Sequence, residues 1–420
     1  MGALDQTLVW RECQRGRGYG IRMLFILVLM VVHALSARGQ ILATAEEAER
    51  SNQLFEHGTP GGRLACTIYR RIPTIDFAFR FDAGFIVHYP VRQFRGRKSV
   101  VDIITRVTPE GGVPVFFGEV IKLPAFPPKG NVGGSQIECS GGFSVGEGRY
   151  QVAVLTVDDR GRSYQKRWSI TAARSRGQQE VPEAIPAHTV QPIQLLPWDG
   201  KLDPGATGIR VTVLMDVAPI NPYVFKMRAW DRSFLMASLS SVLQQTPCAA
   251  VRLIAFNLQQ QREVFRRDHF DASGFLQLSK AIGDLELGTI SAHTLQNRLG
   301  WMDLLARLSN QEVAAQDRSD VVIFLGPATL WGSKVPQEML KSSETASPRF
   351  VYFEYFPQWR GGWEFADSIE YLTKARQGTV FKIHSPGELA QAIQKMLKQR
   401  RTGNEKPSPG QGLNSSSSRG

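Results

Sequence analysis

Ile209-Arg-Val-Thr-Val-Leu-Met-Asp216-Val-Ala-Pro-Ile220 decides the fold of the second half of this chain. The run from Ile209 to Met215 is mostly apolar and ends in a single carboxylate, and a long amphipathic stretch follows. Strands buried on both faces by flanking helices read this way. A carboxylate at the carboxyl end of a parallel strand stands where α/β proteins place their ligand sites. Downstream the alternation repeats. Strands are expected at 210–215, 251–257, 321–325, 350–356 and 380–383, with a hairpin strand at 263–266. Helices are expected at 224–246, 271–285, 293–308, 364–376 and 386–399. Ser385-Pro-Gly-Glu388 opens the last of these with an N-cap, a first-turn proline and a capping glutamate. Such alternation implies a parallel sheet flanked by helices.

Upstream the period changes. From about residue 63, Phe77, Phe79 and Phe81 alternate with other residues, and short apolar runs follow at 85–89, 99–107, 113–122, 150–157 and 164–171. Gly and Pro clusters separate them, which reads as a β-sandwich over 63–173. Tyr150, Val152 and Val154 share one face, and after the Asp158–Gly161 turn Tyr164, Trp168 and Ile170 face the core. Gly148-Arg-Tyr150-Gln-Val152 resembles the tyrosine corner of immunoglobulin-like domains. Residues 174–207 read as a linker. Residues 40–62 read as a short, polar, loosely attached helical or irregular lead-in.

The ends carry much of the formal charge of +12. Residues 1–39 hold five Arg against two acids, and the stretch from Lys395 holds six basic residues against one. The remaining excess is scattered, which argues against nucleic-acid binding. Arg11, Arg15, Arg17 and Arg22 precede the apolar run Met23–Leu35, and Ala34, Ser36, Ala37 and Gly39 mark its end. This is the pattern of a secretory signal peptide over 1–39. Its thirteen-residue apolar run is shorter than the ~20 residues that span a bilayer. A secreted, periplasmic or cell-envelope protein is expected, with no membrane span after cleavage. Residues 400–420 read as a disordered tail. Cys66 and Cys139 fall in one expected domain and are candidates for pairing in an oxidising compartment. Cys248 reads as a buried small residue.

Over residues 209–398 the chain resembles a von Willebrand factor A-like domain of secreted bacterial proteins that also carry an amino-terminal β domain. The resemblance covers under half the chain. It rests on element order and on 210–216 and 320–325, and it implies a doubly wound α/β fold. Members of that family hold a divalent cation, usually magnesium, through Asp-x-Ser-x-Ser after the first strand, a loop threonine and an aspartate after the fourth strand. A partner's carboxylate then fills the open position. Asp216 matches the first ligand. Ala218 and Ile220 stand where the serines belong, Thr289 and Thr294 are equal candidates for the threonine, and Gly326-Pro327 follows the fourth strand without a carboxylate. A hard cation wants a full set of oxygen ligands, so neither metal nor cofactor is expected.

The loops after the first, fourth and fifth strands carry Asn221, Tyr223, Thr329, Trp331, Trp359, Arg360 and Trp363 beside Asp216. Trp, Tyr and Arg are the usual anchors of interfaces, so this rim is expected to bind a protein or glycan partner without metal. No nucleophile, base or phosphate loop is evident. Gly142-Phe-Ser144-Val-Gly146 has the spacing of a nucleophile elbow but lacks the strand before and helix after it. Asp268, His269 and Asp271 read as loop and helix-cap residues. A multidomain, non-enzymatic interaction or adhesion protein is therefore expected. A hydrolase with residues on the same rim, and a purely structural envelope component, are the alternatives.

Overall fold

The computed structural model describes residues 40–127, 134–194, 197–203, 205, 208–221, 224, 226–287, 294, 296–329, 332–341, 347–356 and 366–404. The expected signal peptide, Thr289 and most of the expected tail lie outside them. Among the described residues no helix is long and apolar enough to cross a membrane.

The chain is multidomain and rich in β-structure. Strand β1 (Ile41–Leu42) leads into helix α1 (Ala45–His57). Strands β2 (Thr67–Ile75), β3 (Phe81–Pro90), β4 (Ser99–Pro109), β5 (Val115–Leu123), β6 (Gln136–Val145), β7 (Gly148–Asp158), β8 (Ser163–Ala172) and β9 (Val190–Pro192) follow. They form two sheets, ordered β1-β5-β4-β7-β8 and β2-β3-β6-β9, with every pairing antiparallel. Inward residues of both sheets share one core, where Phe85 meets Trp168 and Phe117 stacks on Phe143. The Tyr150 hydroxyl donates to the Gly146 carbonyl at 2.9 Å and is buried, as the tyrosine-corner reading requires.

Several expectations change here. The lead-in is not loose: β1 pairs with β5, Thr44 and Glu47 form a capping box, and Phe55 packs on Phe116 over the outer face of the five-stranded sheet. The expected linker is not a free tether. Its β9 completes the four-stranded sheet, and Val181, Ile185 and Trp198 are buried. Phe77 and Phe79 lie in the connection between β2 and β3 rather than in a strand. Strands β2 and β6 escape the alternation rule because Arg and Gly interrupt them. Cys66 precedes β2 and Cys139 lies on β6, with β3 between them. Two strand spacings, roughly 9–10 Å, exceed the ~7 Å reach of a disulfide, and all three described cysteines are free.

The second unit contains β10 (Ile209–Asp216), α2 (Ala229–Gln245), β11 (Cys248–Asn257), β12 (Arg262–Arg267), α3 (Ala272–Gly283), α4 (Gly300–Ala314), β13 (Val321–Pro327), β14 (Arg349–Tyr355), α5 (Ser368–Ala375), β15 (Thr379–Ile383) and α6 (Pro386–Asn404). One six-stranded sheet runs β12-β11-β10-β13-β14-β15. It is parallel except at β12, which is antiparallel to β11. Both faces are covered. Val211, Val213, Leu253, Ile323 and Phe353 share a core with α2, α3 and α6, while Leu214, Ile254, Phe324 and Tyr352 share another with α4 and α5. Ser385 and Glu388 cap α6 as expected, and Asp271 caps α3. Helix α4 begins at Gly300, and of the described residues before it Thr294 and Gln296, within the expected range, are also helical, so a break at 297–299 divides the expected helix.

The first of these cores is continuous with that of the sandwich, so the two units are joined through apolar packing. We predict that Tyr150→Phe lowers stability by about 1–3 kcal/mol, because it strands a buried carbonyl. Urea denaturation measures this; an unchanged midpoint would refute the corner's structural role.

Candidate functional site: the carboxyl rim of the six-stranded sheet

Parallel strands point their carboxyl ends to one rim, where polar groups gather because the strand bodies are buried on both sides. Asp216 ends β10 with 1% of its surface exposed. Its neighbour on β13 is Gly326. A Cβ added there would lie 2.8 Å from the Asp216 Cβ and 3.0 Å from its carbonyl oxygen, so only glycine lets these strands approach. Gly326 pairs with Glu354 on β14, and Glu354 with Lys382 on β15. An Asp–Gly–Glu–Lys row therefore crosses four adjacent strands.

The two carboxylates in this row are unusual. No hydrogen bond of good geometry reaches either oxygen of Asp216 or of Glu354, and Glu354 is fully buried. A third carboxylate, Asp367, caps α5. Its Oδ1 accepts from the Glu370 amide at 2.7 Å and its Oδ2 from the Thr329 amide at 2.8 Å. The Tyr352 hydroxyl donates to the same Oδ2 at 3.2 Å. Burial, then the charge of Asp367, pushes the Asp216 carboxyl well above the usual range. Burial, then Asp367 and Glu370, pushes Glu354 up to about 9. At neutral pH Glu354 holds its proton.

Among the expected site residues, Asp216 and Thr329 are at the rim but buried beneath its surface. Asn221 is half-buried in the turn after β10, where its carbonyl accepts from the Val224 amide. Tyr223, Trp331, Trp359, Arg360 and Trp363 lie outside the described residues. Sequence reasoning missed Glu354 and Asp367. A lone acid in the apolar run Phe350-Val-Tyr-Phe-Glu354-Tyr-Phe356 was the available signal. It also missed Trp230, at the start of α2 on this rim. Trp230 is 58% exposed and stacks on Phe234. Lys226 and Arg228, both exposed, precede it. Asp231 fixes this corner by accepting from the Ile220 and Arg228 amides, each at 3.1 Å.

The residues present do not fit a magnesium ion bound as the family resemblance implies. Ala218 and Ile220 offer no side-chain oxygen, and Pro327 ends β13 without one. Ser144 is buried within β6 and donates to Asp82 at 2.6 Å, so it does not stand on the strand-to-helix turn of a nucleophile elbow.

The chain matches no protein-family model and no curated protein. Among solved structures it is similar to a Pseudomonas fluorescens alkylpurine DNA glycosylase bound to DNA containing an abasic-site analogue, at 15% identity and a TM-score of 0.19, covering 36% of this chain and 43% of that one. A lipoprotein from Bacteroides thetaiotaomicron gives 13% identity and a TM-score of 0.15, covering 27% and 85%. A Bacteroides uniformis beta-glucuronidase gives 11% identity and a TM-score of 0.19, covering 74% and 38%. This chain thus spans under half the length of the two enzymes. Likeness this low carries neither a fold assignment nor a function.

A carboxyl that keeps its proton only in the folded state destabilises that state as pH rises. For Glu354 the window runs from its ordinary 4.5 to about 9, and stability falls across it. We predict that Glu354→Gln matches the parent near pH 4.5 and becomes the more stable with rising pH, by at most about 1.4 kcal/mol per unit. Denaturation midpoints at pH 5 and pH 8 test this. A variant no more stable than the parent at pH 8 counts against it.

Proposed function

We propose that this chain is a secreted or envelope interaction protein, not an enzyme. In this reading the six-stranded unit is a von Willebrand factor A-like domain with a degenerate cation site, and the sandwich is immunoglobulin-like. The strand order with one antiparallel edge supports the first assignment. The Tyr150–Gly146 bond supports the second. The domain captures a protein partner on its carboxyl rim without metal.

The observation that carries this reading is Trp230. An aromatic more than half exposed beside exposed cations has the composition of an interface anchor. Stacking on Phe234 holds it in place. The rim's charge is mixed: cations stand at its surface, while carboxylates lie buried beneath.

The test is capture of extracellular proteins by the full chain, with and without EDTA. We predict chelator-insensitive capture that falls at least tenfold in Trp230→Ala and in Arg228→Gln, both changes at exposed positions, with circular dichroism checking that each variant folds. Capture that survives both substitutions removes the rim from consideration. Capture abolished by EDTA overturns the metal-free reading, and capture abolished by glycosidase treatment of the partner assigns a glycan instead.

A further inference from the structure

The connection between β2 and β3, Asp76-Phe-Ala-Phe-Arg80, plugs the sandwich into the six-stranded unit. The Phe77 ring lies edge-on to Phe234 of α2 at 4.5 Å and to Tyr355 of β14 at 5.5 Å. Its carbonyl accepts from the Ser241 hydroxyl at 2.7 Å. The turn is strained: Phe79 is buried at φ 60°, a region that bulky L-residues rarely occupy. Such conformations persist where their surroundings over-determine them. Here Asp76 does so, its Oδ1 accepting from the Ala78 and Arg80 amides, each at 2.9 Å.

The charges at the base of the turn are unbalanced. Arg80 is buried, donates to Asp76 Oδ2 at 3.1 Å and to the Gln194 carbonyl at 2.6 Å. Asp82 stands next to this pair. It faces Thr74 across β2 and Ser144 across β6, and Ser144 donates to it. The charged groups acting on it are Asp76, which opposes its ionisation both by charge and by a carboxyl–carboxyl hydrogen bond that needs a proton, and Arg80, which favours it. One guanidinium thus serves two carboxylates. Burial, then Asp76, pushes Asp82 up to about 7.

We propose that the Asp76–Arg80 turn is a proton-dependent clamp between the two units, closed while Asp82 is neutral and loosened when it is charged. Charging Asp82 sets it against Asp76 and divides Arg80 between them, and the strained Phe79 backbone then relaxes. Release of Phe77 frees Tyr355, the last residue of β14, whose carbonyl accepts from the Ala328 amide at 3.0 Å. The clamp therefore reaches the carboxyl rim. It rests on the junction alone and stands whether or not the rim captures a partner.

In the opened turn Asp82 returns toward its ordinary 3.8, against about 7 when closed. Closure is therefore strongest below about 4, weakens as pH rises to about 7, and changes no further above that. The test is hydrogen exchange of the 76–80 amides in the full chain from pH 4 to 8.5, corrected for the intrinsic chemistry of exchange. Opening is expected to rise by up to about tenfold per pH unit and to level off near pH 7. Asp82→Asn should flatten the profile with the turn closed. Ser144→Ala removes a bond that favours the charged form, and should move the plateau to higher pH. A flat parent profile, or an unchanged one in Asp82→Asn, overturns the proposal. Should Asp82→Asn fail to fold, the Ser144→Ala profile decides, and an unmoved plateau overturns it.

Discussion

A strand covered by helices on both faces can hold no unpaired charge along its length, and most of this protein's second unit follows from that constraint. Strands β10, β13 and β14 are largely apolar through their middles, β11 carries there only Arg252, ion-paired to Glu312 and Asp268, and the remaining polar groups collect toward the ends. At the carboxyl end the consequence is a row of acids with one glycine between them. That glycine is forced by the closeness of β10 and β13, and beside it lie carboxylates that accept no hydrogen bond of good geometry. Neutralising them with protons costs less than ionising them in a site this dry.

The same constraint explains the junction. The face of the sheet that packs on α2, α3 and α6 shares its core with the sandwich, and the Phe77 turn lies alongside α2 between Phe234 and Ser241. The β domain is therefore not an appendage on a string. Its linker contributes a strand to its own sheet, and its first turn contributes an aromatic ring to its neighbour. The rim itself is built from the second unit, and the sandwich meets the elements behind it through Phe77, which packs on Phe234 and Tyr355.

Much of this was legible in the residues. The long apolar runs, the hairpin at β12, the capping box of α6 and the Tyr150 corner all carry strong local signals, and each appears in the structure. What was not legible shares a cause. Strand β2 is an edge strand, and β6 bears Gly141 and Gly142, which lie against Gly84 of β3 by having no side chain, and an absence leaves no periodic mark. Glu354 and Asp367 lie far from Asp216 in sequence, and only strand register brings them together. Trp230 reads as one more apolar residue of a helix until exposure separates it from Phe234. Asp216 itself was legible as a marked position, but its burial was not, because the partner strand that covers it begins more than a hundred residues later.

The Phe77 turn also sets an order of assembly. Its carbonyl waits for Ser241 and its ring for Tyr355, both supplied by chain made long afterwards. The sandwich cannot finish its four-stranded sheet until β9 emerges, and even then it presents an unburied phenylalanine on a strained turn. Until α2 and β14 of the second unit are made, the amino-terminal unit has nothing to cover that ring, and exposed apolar surface of this kind favours association during synthesis.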